Sequence, residues 1–157
     1  MSFSEFPYER SVAIIPNVHP GLPFEDESNI AAIRALKWTV CKAFHEIIER
    51  EQPLAFWFSG DSAFQILAVE TLLRMRDAKE IFCIEAMTGR EHLHLTPYWY
   101  ERFLRLSPHG GVILPHQPKP TTNAALYMSD RCRIKIHYIP HTKRILWGDD
   151  QETESFE

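Results

Sequence analysis

Leu54-Ala55-Phe56-Trp57-Phe58-Ser59-Gly60-Asp61-Ser62-Ala63-Phe64-Gln65 carries a strand, a break and a helix start in direct succession. Residues 54–58 are continuously apolar, which predicts a short strand covered on both faces. Ser59-Gly60-Asp61-Ser62 interrupts that run sharply, because glycine and small polar residues favour turns. From about Ala63 to Arg76 the apolar residues Phe64, Leu67, Ala68, Thr71, Leu72 and Met75 fall near a 3.6-residue period. That spacing predicts a helix with one buried face.

The same alternation extends in both directions. Upstream, Ser11–Ile15 is a short apolar run stopped by Pro16, then comes a proline-rich loop to Glu27. Ser28 is a candidate N-cap for a helix carrying Ile30, Ile33, Val40, Phe44, Ile47 and Ile48 and ending near Arg50. Downstream, Ile81–Ile84 reads as a third strand, and Pro97 suits the first turn of a helix with Trp99, Tyr100, Phe103 and Leu106. Val112–Leu114 is a fourth strand, and Thr121 or Thr122 caps a short helix through Met128 and Ser129. Ile134–Tyr138 alternates like a one-sided strand, and Arg144–Trp147 pairs back on it through the turn at 140–143. Strands alternating with helices predict an α/β fold, a three-layer sandwich around a mostly parallel sheet of about five strands. The chain reads as one domain, 1–157, with its core at about 11–139 and an acidic tail at about 149–157.

Composition narrows the function. The 157 residues are 45% hydrophobic and 24% charged, which excludes a disordered chain. No apolar stretch approaches the roughly 20 residues a membrane helix needs, and MSFSEFPYER lacks the apolar region of a signal peptide. With 17 bases against 21 acids the net charge is −4, so extended nucleic acid is a poor partner. Cys41, Cys83 and Cys132 are far apart and odd in number, which points to free thiols in a reducing, cytoplasmic setting. His92 and His94 lie two apart, yet no HExxH, cysteine pair or acidic cluster accompanies them, so no metal site is assigned. Without a G-x-S-x-G elbow no nucleophile is assigned either, and no residue is given a catalytic role.

Open α/β sheets bind ligands outside the carboxyl ends of their strands. The loops to watch are therefore 16–28, 59–62, 85–95, 115–122 and 139–143. Within them Asn17 and His19 carry hydrogen-bonding side chains after the first strand; a proline-shaped turn explains them equally. Gly60 permits a tight turn and close approach of a ligand. The N–H groups of the following turn suit an anion, with Ser59 and Ser62 adding hydroxyls. The plainer reading is a strand–helix turn capped by Asp61 or Ser62. Glu85, at the end of the third strand, fits a ribose-hydroxyl acceptor or a surface acid. Asn123 either caps the fourth helix or reaches a ligand.

The order of these motifs resembles the SLOG superfamily of Rossmann-like proteins, specifically its YpsA-like branch, as a diverged and C-terminally shortened member. Pro20 and Leu22-Pro23-Phe24 stand where that branch has its T-G-H-R-P turn and L-P-[FW]. Ser59, Gly60, Ala68 and Glu70 match its S-G-x-x-G-x-[DE]-x-x-A-x-E signature, with Ala63 and Gln65 at the second glycine and the acidic position. Tyr100–Leu104 occupies the place of Y-x-x-[IV]-L, with Phe103 at the Ile/Val position, and Thr122-Asn123 with Ser129-Asp130 resembles the R-N-x-x-M/I-[VI]-D-x-S-D segment before a later strand, with one residue fewer between them. The resemblance implies a Rossmann-like fold and a small nucleotide or nucleotide-derived ligand such as ADP-ribose. It adds Gln65 to the site and turns Glu70 toward it; a solvated helix face is the alternative for Glu70. The expected role is sensing or regulation. The alternatives are a ligand-free protein-interaction module, in which Phe24, Phe64 or Tyr98 fills the cleft, and a hydrolase acting on a nucleotide. The aromatic cluster Tyr98-Trp99-Tyr100 is expected to be partly exposed and to support a homodimer.

Overall fold

The structure, a computed structural model, describes residues 6–16, 30–60, 62–78, 80–86, 95–106, 113–116, 123–139 and 142–149. In chain order the elements are β1 (Ser11–Ile14), α1 (Ile30–Glu51), β2 (Ala55–Phe58), α2 (Ala63–Arg74), β3 (Phe82–Ala86), α3 (Pro97–Leu104), β4 (Ile113–His116), α4 (Ala124–Arg131), β5 (Ile134–Ile139) and β6 (Arg144–Gly148). Short 3-10 turns occupy Tyr8–Arg10 and Arg76–Ala78.

The six strands form one sheet in the order β4-β3-β2-β1-β5-β6. β1 pairs parallel with β2 and with β5, and β2–β3 and β3–β4 are also parallel. β6 returns antiparallel on β5, from Ile139↔Arg144 to Lys135↔Gly148. The α/β class therefore stands, but the sheet is mixed and has six strands, where a mostly parallel sheet of about five was expected. The reason is the shortness of the last connection. A parallel return needs a crossover of a dozen residues or more, whereas a tight turn permits only an antiparallel neighbour. Lys143, at φ 56°, sits in that turn.

Strand side chains alternate between the two faces. On one face Val12, Ile14, Phe56, Phe58, Cys83, Ile134, Ile136 and Tyr138 meet α1, α2 and α3. On the other, Ala13, Ala55, Trp57, Ile84 and Ala86 meet Met128 and Cys132 of the α4 segment. α1 buries Ile33, Leu36, Val40, Phe44 and Ile47, one stripe at helical spacing. α2 lies between α1 and α3 and is buried almost all round. α3 ends at Leu104, two residues before the expected Leu106, and residues 105–106 form a turn. No described helix is long and apolar enough to cross a membrane.

The amino ends of the strands are tied shut. Arg10 donates two hydrogen bonds, of 2.9 and 2.8 Å, to the carbonyl of Gln52. Arg133 pairs with Glu51 at 2.6 Å and with Glu9 at 3.2 Å. The opposite, carboxyl end carries the turn with the candidate residues Ser59, Gly60 and Ser62.

All three cysteines are free, with Cys83 and Cys132 buried and Cys41 partly exposed. Burial pushes the Cys83 thiol up to about 12. A thiol-reactive dye should therefore titrate one thiol, Cys41, quickly in the folded chain and three after unfolding. The Cys83 shift also sets a pH direction. Its folded pKa lies above the unfolded one, so its contribution is full below the ordinary thiol value and is lost as pH rises toward about 12. Denaturant midpoints measured from neutral to alkaline pH should fall less steeply in Cys83→Val than in the parent chain.

Candidate functional site

β1 is the strand at which the sheet order reverses, since β2 follows it on one side and β5 lies on the other. In open α/β sheets the crevice outside such a reversal receives ligands. Three expected residues converge there. Gln65, in the first turn of α2, is fully buried. Its side-chain N–H donates to the carbonyl of Ile14 at 2.6 Å, and its Oε1 accepts from the Ser59 hydroxyl at 3.1 Å. One amide thus bridges the carboxyl ends of β1 and β2. Ser62 is the N-cap of α2, its oxygen accepting the Gln65 backbone N–H at 3.4 Å. No acidic residue stands in the first turn of α2, and the amide end of a helix carries a partial positive charge.

Gly60 has φ +76°, a conformation that side chains rarely adopt. A Cβ built there would lie 2.5 Å from Cε1 of Phe103. The close approach that glycine permits at this position is made by Phe103 of α3.

Tyr138, near the end of β5, is 3% exposed and stacks on Phe64 of the first turn of α2, with ring centroids 5.2 Å apart. Its hydroxyl is buried and has no hydrogen-bond partner among the described residues. Burial holds its pKa above the ordinary phenol value. The sequence reading did not select Tyr138. It sits in an alternating strand, and nothing in its neighbours signals that the ring ends beside another element's first turn.

The remaining candidates are scattered. Glu85 is half-buried on β3, across from Phe58 of β2 and from Pro115 of β4. Asn123 is exposed and caps α4, accepting the Leu126 N–H at 3.2 Å. Asn17, His19 and Asp61 lie outside the described residues, as does Ser28. Glu70 is neither a solvated surface acid nor a member of the strand-end cluster. Two turns along α2, it binds Arg102 of α3 through both carboxylate oxygens. The Arg102 guanidinium also donates to the Tyr98 hydroxyl at 3.1 Å and lies 4.4 Å from the centre of the Trp99 ring. Burial opposes the Arg102 charge, but the bonds and field of Glu70 outweigh it and hold its pKa above the ordinary value. In the Tyr98-Trp99-Tyr100 cluster, Trp99 is buried and the two tyrosines are half-buried. Among the described residues no group of three His, Cys, Asp or Glu is placed to hold a metal ion.

Chemically, the strand-end cluster offers hydroxyl donors and the amide end of a helix. Gln65 is already satisfied and serves as the brace that holds these parts together. Compared with protein-family models, curated proteins and solved structures, the chain matches none.

Proposed function

We propose that this chain is a Rossmann-like domain that binds a small nucleotide or nucleotide-derived ligand outside the carboxyl ends of β1, β2 and β5, and that it senses this ligand without transforming it. The observation that carries the reading is the Tyr138 hydroxyl. A buried hydroxyl without a partner costs free energy, and the ring that carries this one stacks on Phe64 in the first turn of α2, at the end of a helix that favours an anion. The buried Ser59–Gln65–Ile14 bridge supports the reading by making the floor of that crevice rigid. The resemblance to the YpsA-like branch supplies the ligand class. The three free cysteines support a reducing, cytoplasmic setting, and Leu104 of α3, 49% exposed, supports a homodimer through that helix.

The test is a thermal-shift screen against ADP-ribose, NAD, cyclic mono- and dinucleotides and nucleoside monophosphates, followed by calorimetric titration of any hit. A ligand at a hundred times its Kd should add about 2.7 kcal/mol of stability. Tyr138→Phe should weaken binding by about five- to tenfold, the value of one hydrogen bond, while making the free protein more stable, because the partnerless buried hydroxyl is gone. Ser62→Asp keeps an N-cap oxygen and places a negative charge where the ligand's anion would lie, so it should weaken binding further. A hit indifferent to both substitutions, or silence across the panel, refutes the reading.

The second reading is the ligand-free interaction module. Phe103 favours it, because its ring covers Gly60. The aromatic at that place is Phe103 and neither Phe64 nor Tyr98, while Phe24 lies outside the described residues. A silent panel selects this reading.

A further inference from the structure

Away from the strand ends, residues of α1 and α2 line an open hollow of about 340 Å³. Cys41 of α1 and Met75 at the end of α2 lie in it, and Trp38, 66% exposed, lines it as well. Arg34, Lys37 and Arg74 line it together with Glu70. Its α2 residues, Glu70 to Met75, lie roughly two to three and a half turns from the Ser62 end. The size falls within the range of small-molecule sites, roughly 300–1,000 Å³, which are mostly apolar with a few placed polar groups.

The charges around this hollow are unbalanced. Its one acid, Glu70, is committed, because Arg102 occupies both of its carboxylate oxygens. Arg34, Lys37 and Arg74 make no ion pair among the described residues. Three cations thus gather on a protein whose net charge is −4. Lys37 feels the crowding. Burial lowers its pKa, the fields of Arg102 and Arg74 lower it too, and only Glu70 opposes them. Beside these cations lies the exposed indole of Trp38, which has the Lys42 ammonium over its ring at 4.5 Å from the centroid and leaves apolar surface in contact with water.

We propose that the hollow between α1 and α2 binds a small amphipathic anion, a carboxylate or phosphate head held by Lys37, Arg34 and Arg74 with its apolar body against Trp38, Cys41 and Met75. The head supplies the countercharge that Glu70 cannot, and charge-assisted bonds to arginine and lysine are the stronger kind. The body covers apolar surface of Trp38 and Cys41 that is otherwise left to water. This site is independent of the strand-end crevice and does not rest on that reading.

The test records amide and indole signals of the full chain by NMR during titration with phenyl phosphate and with octanoate. Inorganic phosphate serves as the head alone and benzyl alcohol as the body alone. The Trp38 indole signal is assigned with Trp38→Phe. Expected are saturable shifts of that signal with both amphipathic anions, and slower alkylation of Cys41 when they are bound. Phosphate alone and benzyl alcohol alone should each bind about tenfold more weakly or worse. Lys37→Gln with Arg74→Gln, both changes on the helix surface, should lower affinity for the anions by about tenfold or more. Ser62→Asp should leave it unchanged. The proposal is overturned if neither amphipathic anion shifts Trp38 saturably, if head or body alone binds as well as the whole probe, or if the double substitution leaves affinity intact. Binding of inorganic phosphate alone would reduce the site to a surface cation cluster.

Discussion

Gln65→Leu is expected to lower the unfolding free energy by roughly 3–4 kcal/mol. The substitution nearly preserves volume, so packing contributes little to the loss. What disappears is the pair of bonds from the Gln65 side chain to the Ile14 carbonyl at 2.6 Å and from the Ser59 hydroxyl at 3.1 Å. Both partners stay buried, and each loses a hydrogen bond there at a cost of about 1–3 kcal/mol. Denaturant unfolding of parent and variant chains measures the difference directly. Gln65→Glu separates hydrogen bonding from shape. A glutamate accepts from Ser59, but it donates to the Ile14 carbonyl only while protonated. Fully buried, its carboxyl should titrate above the ordinary carboxylate range. The sign follows: the stabilising bond is present at acid pH and is lost as pH rises through the folded pKa. The midpoint of Gln65→Glu should approach that of the parent chain near pH 4 and fall well below it at pH 7. A variant equally stable at both pH values would show that the amide is no brace.

Gly60→Ala is the second large effect, a loss of roughly 2–4 kcal/mol from two separable causes. One is the backbone: at φ +76° a residue with a Cβ is strained by about 1–2 kcal/mol. The other is the contact of the new Cβ with Phe103, whose Cε1 would be 2.5 Å away. A double-mutant cycle with Phe103→Leu distinguishes them. If the ring is the obstacle, Gly60→Ala costs less in the Phe103→Leu background, where only the backbone strain is left. Equal costs in both backgrounds would mean that the ring yields freely and that Gly60 is required by its φ alone. The outcome bears on function, because a ring that yields easily also leaves room for a ligand above Gly60.

Both sites show how far the sequence was readable. Gly60 is legible as a turn from its place after five apolar residues, and Ser62 and Asn123 as candidate caps from their residue type before helical stretches. The stripe of α1 is legible for the same reason: it is periodic, and periodicity is local. Glu70 was misplaced because its partner, Arg102, lies 32 residues away on another helix. Gln65 was singled out only through a resemblance, as a departure from an acidic position. Nothing in its neighbourhood signals that its amide reaches Ile14, 51 residues earlier.

What the sequence by itself determined, then, is the alternation of strands and helices, the α/β class, the hairpin-like return at 144–147 and the caps at Ser62 and Asn123. Each follows from neighbours within a turn or two, where spacing and backbone preference act directly. The tertiary structure alone decided the strand order with β1 inside the sheet, the seating of Phe103 on Gly60, and the buried bridge from Gln65 to β1. It also gathered Arg34, Lys37 and Arg74 around a carboxylate already taken. These depend on which distant surfaces bury each other best, and that choice belongs to the packed whole and is written in no single segment.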